Sequence, residues 1–156
     1  MTTDTGIYDS SEEGGGGSYP FALPVGYRLE EFEIRRVLGA GGFGIVYLAH
    51  DHVLGVDRAI KEFFPSAVAG RGGSHTVSFL SEKQRQAYES GLQGFVREAQ
   101  ILAGIRHPNV VQVLRVIPKN QTAYLVMEYC QGQSLAQRLA EPGFVASEAW
   151  LVSFLR

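Results

Sequence analysis

From Tyr27 onward, apolar and polar residues trade places over short stretches, the pattern of half-buried strands. Phe32 to Leu38 mixes apolar and charged residues over a strand's length, glycines then force a turn, and Ile45 to Ala49 is β-branched and aromatic enough for a second strand. The two predict a hairpin. Asp57 to Phe63 makes a third strand. Alternation there places Ala59, Lys61 and Phe63 on one face and Arg58, Ile60 and Glu62 on the other. Between Pro65 and Gly91 the pattern lapses into a long connection. Ala69 to Ser74 reads as flexible loop, whereas Ser81 with Gln84 fits a capping box, Glu82 adds charge to the first turn, and Gly91 supplies a stop. A clearer helix follows over Phe95 to Ile105, with Phe95, Ala99, Leu102 and Ile105 at helical spacing and Glu98 on the same apolar stripe. Pro108 ends it. Val110 to Ile117 and Ala123 to Met127 form a strand pair across residues 118–121, which completes an expected α+β unit of five antiparallel strands and one main helix. Helical texture returns around Leu135 to Ala140 and from Glu148 onward, and there is no internal repeat.

Composition changes this picture mainly at the start of the chain. Met1 to Tyr19, with Glu12, Glu13 and the glycine run from Gly14 to Gly17, has too little apolar content to offset the entropy of ordering, and a disordered acidic, glycine-rich tail is expected over 1–26. The 156 residues are 45% hydrophobic and 19% charged, enough for one core, which leaves a main unit at 27–127 with an insertion at about 65–91, followed by 128–156. A net charge of -2 with dispersed basic residues gives no footprint for nucleic acid. The lone Cys130 cannot form an internal disulfide, the start lacks the features of a secretory signal, and no apolar run approaches the roughly 20 residues that span a bilayer. A cytoplasmic location is the expectation.

The chemistry centres on Leu38, Gly39, Ala40, Gly41, Gly42, Phe43, Gly44, Ile45 and Val46. A G-x-G-x-x-G pattern also marks dinucleotide-binding folds, and Asp57 lies near the spacing of a ribose-binding acid, but such a site needs a helix directly after the glycines. Here a strand follows. A Walker P-loop is excluded because no Gly-Lys-Ser/Thr follows, while a glycine-rich hairpin without a ligand stays open for this segment alone. Lys61 by itself fits a solvated strand lysine. Glu98, on an apolar stripe, needs a cation if buried, and Lys61 on the cleft side is the available one; such a pair would hold the ammonium where phosphate oxygens arrive. Placement of Glu98 at the edge of the stripe is the alternative.

Several motifs in one order then resemble a protein kinase. Leu38 to Val46 is similar to its glycine-rich loop, Arg58 to Lys61 to its Val-Ala-Ile-Lys strand, Phe95 to Ala99 to its αC helix, His107 to Val111 to the following turn, and Tyr124 to Cys130 to the last N-lobe strand and hinge. The resemblance runs from Tyr27 to the end, and the loop together with Lys61 to Pro65 resembles bacterial serine/threonine kinases in particular. It implies a kinase-like N-lobe, a hinge and the first, truncated helices of a C-lobe. It also implies ATP as ligand: Leu38, Val46 and Ala59 against adenine, the backbone of Glu128 and Cys130 on its edge, Met127 as gatekeeper, Ser134 near the ribose, the loop from Gly39 to Gly44 with Lys61 on the phosphates, and Glu98 as partner of Lys61. Leu102 and Val113 would join the hydrophobic spine. Plain core packing remains the other reading of each apolar member, and Cys130 can be simply a small hydrophobe.

There are departures. The stretch from Lys61 to Glu98 is longer than in most kinases and reads as a structurally neutral surface insertion, with regulation through Ser74, Ser78 or Ser81 as the second reading. No aspartate follows Asp57, so the catalytic-loop base and the Mg2+ ligands of the complete enzyme are absent and no metal ligand is assigned. The expectation is the ATP-binding portion of a serine/threonine kinase, which in complete form transfers the γ-phosphoryl group to a protein substrate, with this chain alone inactive. Trp150, Leu151, Phe154 and Leu155 form an apolar set that nothing later in the chain covers. The alternative is accordingly a naturally short, non-catalytic nucleotide-binding or protein-interaction module that associates with a C-lobe or with itself through this end.

Overall fold

Alternating apolar positions make strands here because both sheet faces find cover. The computed structural model describes residues 19–155, with side chains through 153. Most of the expected tail, and the side chains of Phe154 and Leu155, lie outside that description. The strands are β1 (Arg28–Leu29), β2 (Phe32–Gly41), β3 (Gly44–Asp51), β4 (Val56–Phe63), β5 (Gly70–Arg71), β6 (Val77–Ser78), β7 (Val113–Lys119) and β8 (Thr122–Glu128); the helices are α1 (Glu82–Ala103), α2 (Leu135–Ala140) and α3 (Glu148–Leu155). The main sheet has six strands rather than five, in the order β1-β2-β3-β4-β8-β7, because the short β1 pairs Arg28 with Glu33 and Leu29 with Phe32. Pro118 lies in β7, an edge strand, where a missing donor is tolerated.

Register assigns every side chain of the sheet to a face. Val46 lies opposite Lys61, which lies opposite Leu125; one pair further along, Leu48, Ala59 and Met127 line up in the same way. This is the α1 face. On the back, Ile45, Glu62 and Tyr124 form one row and Tyr47, Ile60 and Val126 the next.

α1 is one helix of 22 residues, where glycine chemistry predicts two. Ser81 caps it as expected, its side chain accepting from Gln84 N at 3.2 Å. Gly91 does not stop it. A Cβ at Gly91 would come within 2.8 Å of the Phe63 ring, so the missing side chain lets the helix close on β4, whereas a Cβ at Gly94 meets nothing within 4 Å. Each Gly→Ala change gains up to about 1 kcal/mol of helix propensity, but overpacking at Gly91 costs about 1–3 kcal/mol. Gly94→Ala should therefore stabilise the chain and Gly91→Ala should not, a difference that urea denaturation of the two variants reads directly. Equal effects would mean that Phe63 is not fixed against the helix.

The insertion is not structurally neutral. Its glycine-rich half forms the β5-β6 hairpin, Val77 N donates to Asn120 O at 2.9 Å, and Ala69 and Val77 are buried in the core on the back of the sheet. Residues 19–26, assigned to the tail by composition, lie against the same face: Leu23 is 3% exposed and its N–H donates to the Tyr47 hydroxyl at 3.1 Å. Beneath them is Glu62, fully buried, with the Arg71 guanidinium of β5 on both of its oxygens and the Tyr47 hydroxyl donating to it at 2.6 Å.

That polar cluster is surrounded by buried phenols. Burial first, and then the Glu62 charge, raise the pKa of Tyr47 and of Tyr124, and burial pushes Tyr88 up to about 12. Unfolding exposes phenols that ionise from about pH 10, so the folded state binds more protons above that pH and stability, fully present below it, falls as pH rises. The slope approaches about 1.4 kcal/mol per pH unit for each tyrosine. Urea midpoints at about pH 9 and about pH 11 check this; a constant midpoint would show that the phenols already reach solvent.

At the C-terminal end, α2 begins with a complete capping box between Ser134 and Gln137. Trp150 is not free: it is half-buried and meets the Phe144 ring edge-on at 5.1 Å, which removes it from the expected exposed set, while Leu151 remains exposed. No helix among the described residues is long and apolar enough to cross a membrane.

Candidate functional site

Two turns and one strand bring the candidate residues together. β2 and β3 pair as far as Gly41 with Gly44, so the glycine loop narrows to Gly42 and Phe43, and the Phe43 side chain is 79% exposed. A Cβ at Gly41 or Gly42 would meet nothing within 4 Å, which leaves this backbone uncovered, whereas a Cβ at Gly44 would collide with the Glu62 carbonyl oxygen. Only glycine lets β3 start that close to β4.

Under the loop, Leu38, Val46, Ala59, Ala99, Val113, Leu125 and Met127 form one buried cluster, with Leu102 and Tyr129 packed against it. Every apolar residue singled out for the adenine side or the spine is in this cluster. Leu38, Ala59 and Met127 line a cavity of about 210 Å³ together with the segment from Glu128 to Ser134 and Val111. The Glu128 amide is engaged, donating to Gln112 O at 3.1 Å, and among the described residues no backbone bond reaches the Cys130 N–H. Ser134 lines the same cavity, but its oxygen accepts from Gln137 N at 3.1 Å as the helix cap. Gln131, Gly132 and Gln133 also line it and were not singled out from the sequence; their place beside Cys130 in the chain was the available signal. Val111, separated from them by two strands, belongs to the turn motif His107 to Val111 and had no site role.

Lys61 and Glu98 share a smaller cavity of about 50 Å³ with Phe95, Ala99, Leu102, Leu125 and Met127. The expected ion pair between them is not formed among the described residues; the Lys61 ammonium is 6.0 Å from the Phe95 ring centroid instead. The reason lies in burial. Glu98 is exposed, so water solvates its charge and nothing compels it to pair, as the edge-of-stripe reading allows. The carboxylate that does require a cation is Glu62, one residue after the lysine and on the other face. Arg71 answers it. Burial works against the Arg71 charge, yet its hydrogen bonds to Glu62 and the carboxylate's charge raise its pKa above the ordinary value. Among the described residues, no cluster of three or more His, Cys, Asp or Glu could hold a metal ion.

A β-hairpin with an uncovered glycine backbone, a lysine on the next strand and an apolar cavity walled by residues 128–134 thus belong to one sheet and the segment that follows its last strand. The chain matches the family model for the protein kinase domain over residues 32–155, and it belongs to that family. Among curated relatives it is 34% identical over 113 residues to CBL-interacting serine/threonine-protein kinase 13 of Arabidopsis thaliana, a match covering 72% of this chain and 19% of that protein. It is 30% identical over 113 residues to Aurora kinase B of Mus musculus, covering 72% of this chain and 28% of the relative. The chain thus spans less than a third of the length of these relatives. Among solved structures, PpkA-294 in its apo form superposes with a TM-score of 0.80 at 38% identity, over 85% of this chain and 47% of that one.

Proposed function

We propose that this chain is the ATP-gripping part of a serine/threonine protein kinase. One observation carries the reading: Leu38, Ala59 and Met127 join the 128–134 segment in a single cavity, Met127 also lines the smaller cavity of Lys61, and Lys61 pairs with Val46 on the strand that leaves the glycine loop. The apolar slot suits a flat purine, held by dispersion and by the Glu128 carbonyl and Cys130 N–H at its edge. Lys61 and the uncovered amides near Gly41 and Gly42 suit the phosphates, whose charge they would neutralise and orient. ATP would supply the phosphoryl group; the residues here bind and position it. Glu98 lines the same small cavity as Lys61.

In the complete protein the reaction would be γ-phosphoryl transfer to a protein hydroxyl. No aspartate follows Asp57 to act as a base, and among the described residues no cluster of His, Cys, Asp or Glu could hold Mg2+. The chain alone should leave protein substrates unphosphorylated.

Lys61→Ala separates the two halves of the grip. It should weaken ATP by about tenfold or more while adenosine, which lacks phosphates, keeps its affinity within about twofold. Calorimetric titration of both nucleotides into both proteins gives the answer. ATP affinity that is unchanged in the variant would remove Lys61 from the site.

A further inference from the structure

We infer that Glu62 and Arg71 are positioning residues for the phosphate grip: a buried ion pair behind β4 that fastens the inserted hairpin and the 19–23 segment to the strand bearing Lys61. The inference rests on the nucleotide reading above and extends it to residues that touch no nucleotide. Glu62 is 0% exposed and the Arg71 side chain 3%. Arg71 bonds both carboxylate oxygens, one of them at 3.3 Å, and also donates to Phe21 O at 2.6 Å. Tyr47 donates to Glu62 while accepting from Leu23 N. The guanidinium lies 4.9 Å from the Phe64 ring centroid, and Phe21 stacks on that ring at 5.5 Å. Tyr47 and Arg71 thus hold the carboxylate directly, and the 21–23 segment holds both of them.

Stability alone is a poor reason for such a pair, because well-packed apolar residues of similar volume often do as well or better than buried charges. What a bidentate, desolvated pair adds is a fixed geometry. That geometry is delivered to the grip at two points. Glu62 is joined to Lys61 by one peptide bond, and its carbonyl is the atom against which Gly44 closes. Just beyond it, Phe64 N donates to Phe43 O at 3.2 Å, at the loop tip. Displacing Glu62 acts first on Lys61 and on the seat of the glycine loop, which adjoin it directly, while Ala59 lies three residues back along β4 and the hinge wall of the cavity, at 128–134, belongs to another segment.

The test compares ATP with adenosine in Arg71→Lys and Glu62→Gln, each alone and combined with Lys61→Ala. Arg71→Lys keeps a cation beside Glu62 but loses the planar fork. The expected result is a loss of ATP affinity of about tenfold with adenosine unchanged within about twofold, and a further loss no greater than about twofold once Lys61 is already absent. Parallel weakening of both nucleotides, or no weakening of either, overturns the inference while leaving wild-type binding, and hence the reading of the cleft, intact. A wild-type chain that binds neither nucleotide defeats that reading and the inference with it. Thermal melts precede the titrations, and Tyr47→Phe, which removes one bond to Glu62 and keeps the ring, is the third variant. If none of the three folds, the cluster is purely structural and the inference falls.

Discussion

Arg71→Met is expected to lower the stability of the folded chain by about 3–5 kcal/mol, the loss typical of breaking a buried pair by removing one partner. Glu62 cannot reach water: the hairpin, Tyr47 and Phe64 cover it, and methionine fills the guanidinium's volume without answering the charge. A domain of this kind has about 5–15 kcal/mol in total, so the change removes a large part of it. The double variant Glu62→Leu with Arg71→Met should recover much of the loss, because it removes the charge as well as its partner. Urea denaturation of the three proteins measures the series. A cost for Arg71→Met under about 1 kcal/mol would mean that the hairpin opens readily and that Glu62 is solvated when it does.

Ala59→Phe is expected to weaken ATP and adenosine alike by more than about a hundredfold, roughly 2.7 kcal/mol. Ala59 is on β4 between Leu48 and Met127 and forms the floor of the cavity of about 210 Å³ opposite the hinge segment. Ala59 is buried and lines the slot, so a benzyl group there should take up its volume. The effect differs in kind from that of Lys61→Ala, which spares adenosine, and the contrast places base and phosphates separately. Affinity retained in Ala59→Phe, with the fold verified by circular dichroism, would locate the nucleotide elsewhere.

Most of the site was legible because its signals are local. Period-two alternation in β4 put Ala59 and Lys61 on one face, and the register with β3 and β8 places them there beside Val46, Leu48, Leu125 and Met127. The glycine loop followed from residue type and spacing. What the sequence hid is which faces other segments cover. Alternation puts Glu62 on the back of β4, but not what covers that face: residues 19–26, far from it in sequence, and the β5-β6 hairpin, whose Arg71 follows it by nine residues, lie on it. A buried carboxylate must find a cation; the apolar stripe points to Glu98, whose side chain is exposed, whereas the buried one is Glu62.

Glycine misled in a related way. At Gly91 it reads as a helix stop from the local sequence, yet its use is tertiary, as the place where the Phe63 ring approaches α1. At Gly70, Gly72 and Gly73 it reads as flexible loop, yet the segment carries Arg71 into the core. Composition records how freely a segment can bend and not what one side chain within it reaches.

Titration of the wild-type chain with ATP by calorimetry, repeated in the presence of adenosine, tests the central claim most directly. The cleft described here predicts saturable one-to-one binding of ATP that adenosine displaces. Absence of binding, or ATP binding that adenosine leaves untouched, would contradict it.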